Sequence, residues 1–193
     1  MGSLYMMEQN KYIMIDKNSI EEELLVLRCQ RGNKVAFEAL IRRREKALLY
    51  YIMRMVMDDQ EALEILQEVW LKVIVNIKYL REPKCLSKWL YSIARSQVIK
   101  HYKRKHKWQE KKEYKNLDEI SGNDKDLGLE DVDLIHYGLN QIGLKFREIL
   151  TLFYLQELSL EEIASVLGVP LGTAKSRLYH ARKVIRKAVG MEK

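Results

Sequence analysis

The stretch from Leu158 to Val189 constrains the fold more than any other part of this 193-residue sequence. Two helical patterns stand here on either side of a short turn that contains Gly168 and Pro170. The first pattern opens with Ser159 and has Glu162 three residues later, which is the spacing of a capping box. Gly168 then provides a C-terminal stop, and Pro170 suits the start of the next helix. The stretch therefore predicts two helices joined by a tight turn.

The second of these helices is amphipathic and has a basic outer side. Its apolar positions recur at helical spacing and are predicted to be buried: Ala174, Leu178, Ala181, Ile185 and Ala188. From Lys175 to Lys187 there are several Lys and Arg residues and no acidic one. A short helix, a glycine-containing turn and a basic second helix form the helix-turn-helix pattern of DNA-binding proteins. The alternative is an ordinary helical hairpin with a solvated basic face, which we disfavour because turn, cap and one-sided charge agree.

Composition narrows the class of protein further. The formal net charge of +7 and a pI near 9.2 favour an acidic partner, which could be nucleic acid, an anionic membrane or an acidic protein surface. No apolar run approaches the roughly 20 residues that cross a bilayer, and we see no signal-peptide pattern at the N-terminus. The two cysteines suggest no disulfide framework, so a reduced, cytoplasmic chain is expected. Few prolines and many Leu, Glu, Lys and Arg predict an all-α fold.

The rest of the chain predicts a helical bundle that precedes the helix-turn-helix. Residues 1–19 are weakly patterned, and helices are predicted at 20–31, 34–57, 60–78, 86–107, 132–142 and 144–157. Acidic residues and glycines mark residues 109–132 as a flexible acidic linker. The sequence thus predicts two small helical domains, residues 20–108 and 133–193, the second of which contains the helix-turn-helix.

The predicted helix 60–78 is apolar nearly all round. Leu63, Trp70, Leu71 and Ile74 lie off its main apolar stripe. A helix of this kind is either central in a bundle or partly an interface. We favour the position at the centre of a bundle.

The predicted helix 86–107 ends in a basic run interleaved with aromatic residues. Lys100, Lys103 and Arg104 belong to this run, and Trp89 and Tyr102 are among its aromatic residues. Such a pattern suits single-stranded nucleic acid, because cations meet phosphates and rings stack on bases. The alternative, a solvated charged helix end, favours mixed signs, and no acidic residue occurs in this run.

Three motifs, in this order, resemble those of bacterial RNA polymerase sigma factors, most closely the extracytoplasmic-function (group IV) sigma factors. Residues 60–70 (QEALEILQEVW) resemble the family's core-polymerase-binding helix, and residues 88–95 (KWLYSIAR) resemble its promoter-melting helix. Residues 150–181, with GTAKSRLYHAR at 172–182, resemble its reader of the upstream promoter element. The resemblance covers nearly the whole chain, from about residue 21 to 189. Ser96 and Lys100, which border the downstream promoter element in the family, and Leu63 in the polymerase-binding helix depart from residues that are usual there.

The resemblance implies a protein that binds core RNA polymerase, recognises the upstream (−35) element and melts the downstream (−10) element, with no cofactor or metal. The implied polymerase contacts are Glu64, Gln67, Glu68, Trp70 and Leu71. The implied upstream-element contacts are Gly172, Thr173, Lys175, Ser176, Arg177, Tyr179, His180, Arg182 and Lys183. The implied contacts to the melted strand are Trp89, Arg95, Ser96, Lys100, His101, Lys103 and Arg104. The implied partners are core RNA polymerase, promoter DNA and an anti-sigma factor, without membrane insertion.

Two other classes of function compete with this one. A stand-alone helix-turn-helix regulator that binds duplex DNA as a dimer explains the C-terminus equally well, but it explains neither KWLYSIAR nor the QEVW helix. An enzyme is disfavoured because the sequence has no Walker glycine loop and no metal-spaced Cys/His cluster. The four histidines are scattered along the chain, so exposure or contact with nucleic acid is expected for them.

Overall fold

A computed structural model of the chain describes residues 17–108 and 138–188. These residues form helices joined by turns, with no strand among them, which confirms the predicted all-α fold. The predicted linker, residues 109–132, lies outside the described ranges. Only residues 138–141 of the predicted helix 132–142 are described as helical. No helix in the described ranges combines the length and the apolar character needed to cross a bilayer.

The N-terminal helices begin and end close to the predicted positions. In order, the helices are α1 (17–30), α2 (Lys34–Val56), α3 (Asp59–Asn76), α4 (Leu86–Trp108), α5 (138–141), α6 (Leu144–Leu150), α7 (Leu160–Leu167) and α8 (Leu171–Ala188). Two 3-10 turns, Ile77–Tyr79 and Pro83–Cys85, connect α3 to α4. The side chains of Asn33 and Asp58 accept hydrogen bonds from the backbone amides that open α2 and α3. Residues 17–19, predicted to be weakly ordered, already belong to α1.

Helix α3 is buried on one side and exposed on the other. Val69 and Val73 are fully buried and Trp70 is 7% exposed, whereas Leu71 is 66% and Val75 63% exposed. The favoured position at the centre of a bundle therefore describes only half of this helix. Trp70, which was predicted to lie off the main apolar stripe, belongs to the buried half.

Helices α7 and α8 form the predicted helix-turn-helix. The Oγ of Ser159 accepts from the backbone amide of Glu162 at 3.2 Å, and the Glu162 carboxylate accepts from the Ser159 amide at 2.9 Å. This reciprocal pair confirms the capping box. Gly168 ends α7 with a φ of 67°, in the left-handed region that glycine adopts without strain. The predicted buried stripe of α8 is confirmed at Ala174, Leu178, Ala181 and Ile185, and Ala188 is half-buried.

The predicted single helix 144–157 is divided in the structure. α6 ends at Leu150, and the chain continues as a π-helical turn, Thr151–Leu155. A π-turn holds more residues per turn than an α-helix, so it changes the direction of the side chains that follow. The apolar residues of 144–157 were placed at α-helical spacing throughout, and this spacing does not reveal a π-turn. Its consequence is that the rings of Phe153 and Tyr154 stand beside Arg182 of α8.

The two predicted domains pack against each other, with α7 against α4 and α6 against α2. The Glu148 carboxylate accepts hydrogen bonds from the Tyr51 hydroxyl at 2.9 Å and from Nε of Arg95 at 3.0 Å. Arg147 donates to the backbone oxygen of Arg54 near the end of α2 at 3.0 Å. Partners of this kind are required for charged groups that are taken out of water. We call Tyr51, Arg95 and Glu148 the junction triad.

Candidate nucleic-acid interface

The buried stripe of α8 determines which side of this helix faces solvent. The exposed positions include Gly172, Thr173, Lys175, Ser176 and Lys183, while Arg177 and Tyr179 are half-buried. Backbone amides at the start of the helix and its dipole favour contact with a phosphate. A helix with this polar and basic side can lie in the major groove of duplex DNA.

Two residues predicted to contact the upstream element, His180 and Arg182, are half-buried. The Nε2 atom of His180 is buried and has no hydrogen-bond partner among the described residues. The Arg182 guanidinium lies 5.4 Å from the ring centre of Phe153 and 5.7 Å from that of Tyr154. These are cation–π contacts, and they connect α8 to the π-turn. These contacts position Arg182 on α8, and its predicted contact with DNA stays a prediction.

The residues predicted to contact the melted strand lie in several different surroundings. Trp89 and Ser96 line a groove, and Arg95 belongs to the junction triad. Three others, Lys100, His101 and Arg104, lie against α3. Lys103 is exposed. α4 thus uses separate faces for the groove, for the C-terminal helices and for α3.

The groove lies between the end of α3 and the first half of α4 and has a volume of about 370 Å³. Its lining consists of Lys72, Asn76, Tyr79, Trp89, Ser92, Ile93, Ser96 and Gln97. Gln97 is 1% exposed, and its Oε1 has no hydrogen-bond partner in the described ranges. Aromatic rings of this kind are surfaces on which nucleobases stack.

Glu61 of α3 pairs with two basic residues near the end of α4. Its carboxylate lies 3.0 Å from Nε2 of His101 and 2.5 Å from Nζ of Lys105. The hydrogen bond from Lys105 is the main reason why the pKa of the Glu61 carboxyl is lowered, and His101 adds to the effect. Glu61 was not predicted to have a functional role.

Glu68, two helical turns after Glu61 on α3, pairs with two other basic residues of α4. Its carboxylate lies 3.0 Å from a terminal nitrogen of Arg104 and 3.9 Å from Nζ of Lys100. Glu68 was predicted to contact polymerase, whereas Arg104 and Lys100 were predicted to contact DNA. The structure brings these two sets together, and the sequence shows no sign of the pairing because the residues are about 35 positions apart.

The remaining residues predicted to bind polymerase separate into exposed and buried ones. Glu64, Gln67 and Leu71 are exposed. Trp70 is buried, and its indole nitrogen has no hydrogen-bond partner among the described residues. The ring of Trp70 packs in the core of the bundle, and its predicted contact with polymerase stays a prediction.

Exposed apolar residues extend the surface around Leu71 along α3. Leu63 is 44%, Ile74 48% and Val75 63% exposed. With Gln67 and Leu71 they form what we call the α3 outer face (Leu63, Gln67, Leu71, Ile74 and Val75). Their helical spacing was visible in the sequence, but the side of α3 that the bundle covers was not. An apolar surface of this kind on a helix is typical of a protein-binding site.

The protein combines a helix-turn-helix that has a basic outer side with a groove lined by aromatic rings and an exposed apolar face. Together these features are typical of a DNA-binding protein that works in a larger assembly. Comparison with known families agrees with this class. The model of sigma-70 region 2 matches residues 40–109, and that of sigma-70 region 4 matches residues 139–185. No group of His, Cys, Asp and Glu suited to a metal ion occurs in residues 17–108 and 138–188.

Two curated relatives are similar to the chain along most of its length. The RNA polymerase sigma-H factor of Pseudomonas aeruginosa is 30% identical over 182 residues, which cover 88% of this chain and 94% of the relative. The ECF RNA polymerase sigma factor SigW of Bacillus subtilis is 27% identical over 175 residues, or 82% of this chain and 91% of the relative. The chain therefore belongs to the sigma-70 family of RNA polymerase sigma factors, in its extracytoplasmic-function group. It directs promoter-specific transcription initiation, and the alternative of a stand-alone regulator finds no support.

Two solved structures share the fold. The sigma factor RpoE of Bartonella quintana, in complex with the anti-sigma factor NepR, has a TM-score of 0.65 at 18% identity and covers 81% of this chain and 98% of its own. CnrH, in complex with the cytosolic domain of CnrY, has a TM-score of 0.64 at 16% identity and covers 89% of this chain and 99% of its own. At these identities the likeness shows the arrangement of helices.

Proposed function

We propose that the tasks of this sigma factor are divided among three surfaces. The α3 outer face binds core RNA polymerase, the groove between α3 and α4 holds a base of the melted −10 strand, and α8 reads the −35 element. In this proposal, residues 20–108 form the polymerase-binding and melting unit, and residues 133–193 form the upstream-reading unit. The observation that carries the proposal is the groove, because its aromatic rings can stack on an unstacked base and its serine hydroxyls can form hydrogen bonds with one.

Reading of the upstream element is assigned to the exposed side of α8. In this proposal Lys175, Ser176 and Tyr179 reach base edges, and Gly172 and Thr173 lie at the helix N-terminus, where a phosphate is favoured. A specific contact between a side chain and a base edge is worth about 1–3 kcal/mol of discrimination. Contacts to phosphate position the helix without distinguishing sequences.

Melting is assigned to the groove and to three basic residues further along α4, namely Lys100, Lys103 and Arg104. Stacking of a base on an aromatic side chain such as Trp89 contributes about 1–3 kcal/mol. Binding of the single strand then supplies the free energy of strand separation, so the chain hydrolyses no nucleotide.

We further propose that the protein acts in the cytoplasm, together with the polymerase, and performs no catalysis of its own. An anti-sigma protein is proposed as its regulator. The structure of the similar Bartonella sigma factor with NepR supports this regulation.

Open-complex formation on promoter DNA tests the groove. Run-off transcription with core polymerase on a promoter library first identifies a responsive promoter. On that promoter, Trp89→Ala should lower open-complex formation on duplex DNA by about tenfold, the equivalent of one lost stacking contact. Trp89→Phe, which keeps an aromatic ring, is the matched control and should retain most of the activity.

A template that is already melted around the −10 element separates binding of the strand from opening of the duplex. If Trp89 acts by holding an unstacked base, Trp89→Ala should bind the melted template more weakly than the parent protein does while still associating with core polymerase. Normal binding of the melted strand by Trp89→Ala would rule out the groove as the site of the base.

A further inference from the structure

The basic run of α4 is less available to nucleic acid than its sequence indicates. This run has no acidic residue of its own, yet α3 supplies two carboxylates to it. Glu61 is paired with His101 and Lys105, and Glu68 with Lys100 and Arg104. Lys100 and Arg104 are among the cations that the proposed function assigns to the phosphates of the melted strand.

The pairs of Lys100, Arg104 and Lys105 are open enough for a phosphate to compete with the carboxylates. The side chains of Lys100, Arg104 and Lys105 are 55%, 52% and 51% exposed, and that of Glu68 is 35% exposed. Ion pairs with this exposure are weak, because water and salt screen them. A phosphate group offers the same cations an anionic acceptor, so the strand and the carboxylates are alternatives for one set of side chains.

We propose that Glu61 and Glu68 act as an internal mask, which occupies the cations of α4 in place of DNA phosphates until a single strand displaces it. The mask rests on the proposed function of α4 in binding the melted strand. A chain with a net charge of +7 binds any nucleic acid through its cations. By holding four basic side chains in internal pairs, the mask reduces this unspecific binding and leaves discrimination to the groove and to α8.

A purely structural role for these pairs makes a different prediction. If they only hold α3 against α4, removing a carboxylate weakens the fold and does not improve binding of a strand. If they are a mask, removing it increases both the affinity and the number of cations that reach phosphates. The salt dependence of binding reports this number, because each additional phosphate contact on a single strand steepens the slope of log K against log salt by about 0.7.

The test uses the full chain and a fluorescent single-stranded oligonucleotide of mixed sequence, without polymerase, at several salt concentrations. Glu68→Gln should bind about two- to fivefold more tightly than the parent, which is the range expected from breaking weak surface pairs. Its salt slope should be steeper by about 0.7 to 1.4, for one or two released cations. Glu61→Gln, which releases Lys105 and His101, should also bind more tightly and provides a second variant should either one fold poorly.

Asp59→Asn is the matched control. Asp59 is exposed in the first turn of the same helix, and no ion pair involves it in the described ranges. This variant loses the same charge, so its salt slope should remain that of the parent. Equal increases of slope in Asp59→Asn and Glu68→Gln would show a general effect of net charge and overturn the mask, as would the lack of any increase in both glutamate variants.

Arg104→Ala distinguishes failure of the mask from failure of the proposed function. If Arg104→Ala loses affinity for the strand while neither glutamate variant gains any, only the mask is wrong. If Arg104→Ala binds as the parent does, α4 is not the strand-binding surface, and both proposals fail. If neither the parent nor the glutamate variants bind at low salt, the mask is overturned, because the exposed cations then bind no phosphate.

Discussion

Replacing Glu148 with alanine tests whether the junction triad holds the two halves of the protein together. Tyr51 is fully buried, and Glu148 is 8% exposed. The Tyr51 hydroxyl and Nε of Arg95 both donate to the same carboxylate oxygen. The substitution therefore removes two hydrogen bonds to a carboxylate and leaves a buried hydroxyl without an acceptor.

The cost can be worked out from these contacts. Breaking a buried ion pair by removing one partner costs about 3–5 kcal/mol, but the Arg95 side chain is 27% exposed and recovers part of its hydration. We therefore expect Glu148→Ala to lower the free energy of unfolding by about 2–4 kcal/mol. Tyr51→Phe should cost less, about 1–2 kcal/mol, because Glu148 keeps its bond to Arg95.

A double-mutant cycle in urea denaturation measures the interaction itself. In Tyr51→Phe/Glu148→Ala no hydroxyl is left without an acceptor, so the double variant should be about 1–2 kcal/mol more stable than the sum of the single effects predicts. Tyr50→Phe is the matched control, because the Tyr50 hydroxyl accepts from Arg54 and does not contact Glu148. If the effects of Tyr51→Phe and Glu148→Ala on the free energy of unfolding are additive to within about 0.3 kcal/mol, the contact between Tyr51 and Glu148 does not stabilise the junction of the two halves.

The pH dependence of stability gives an independent measure of the same site. Burial, followed by the charge and the hydrogen bond of Glu148, raises the pKa of Tyr51 well above its usual value of 10.0. A tyrosine with a raised folded-state pKa contributes stability that is fully present below about pH 10 and is lost as the pH rises further, by up to about 1.4 kcal/mol per pH unit. Unfolding measured between about pH 9.5 and 11 should therefore show a shallower loss of stability in Tyr51→Phe than in the parent. Identical slopes would refute the burial of an un-ionised Tyr51 hydroxyl.

Three further predictions concern the other surfaces and the core. Leu71→Asp on the α3 outer face should weaken association with core polymerase at least about tenfold, whereas Val35→Asp, at an exposed apolar residue of α2, should not; equal effects in a pull-down titration would reject this interface. Burial raises the pKa of the Cys29 thiol to about 11. At pH 8 a thiol reagent should therefore modify Cys85 quickly in the folded chain and Cys29 only after denaturation. Fast modification of both cysteines would contradict the packing of α1. Lys175→Ala should relax preference at one or two positions of the −35 element by about 1–3 kcal/mol in competitive binding across single-base variants, and a uniform loss with base preferences intact would mean that Lys175 contacts only phosphate.

The sequence alone determined the features that depend on neighbouring residues. The capping box at Ser159, the stop at Gly168 and the buried stripe of α8 were all predicted and are all found in the structure. Each of these signals acts within a few positions of the chain, through a hydrogen bond, a backbone conformation or a helical repeat. The family resemblance of the motifs was likewise readable in the sequence, because it lies in contiguous stretches.

Only the tertiary structure decided which surfaces meet. Periodicity shows that α3 has apolar residues on more than one side, but packing against α2 and α4 chooses the side that is buried, and this choice covers Trp70 and exposes Leu71. It also turns Glu68 toward the cations of α4 and away from the outer face. The pairing of Glu148 with Tyr51 spans 97 positions. An amphipathic pattern specifies that a face will be buried, not which helix will cover it, and therefore the mask, the groove and the junction triad appear only once the helices are assembled.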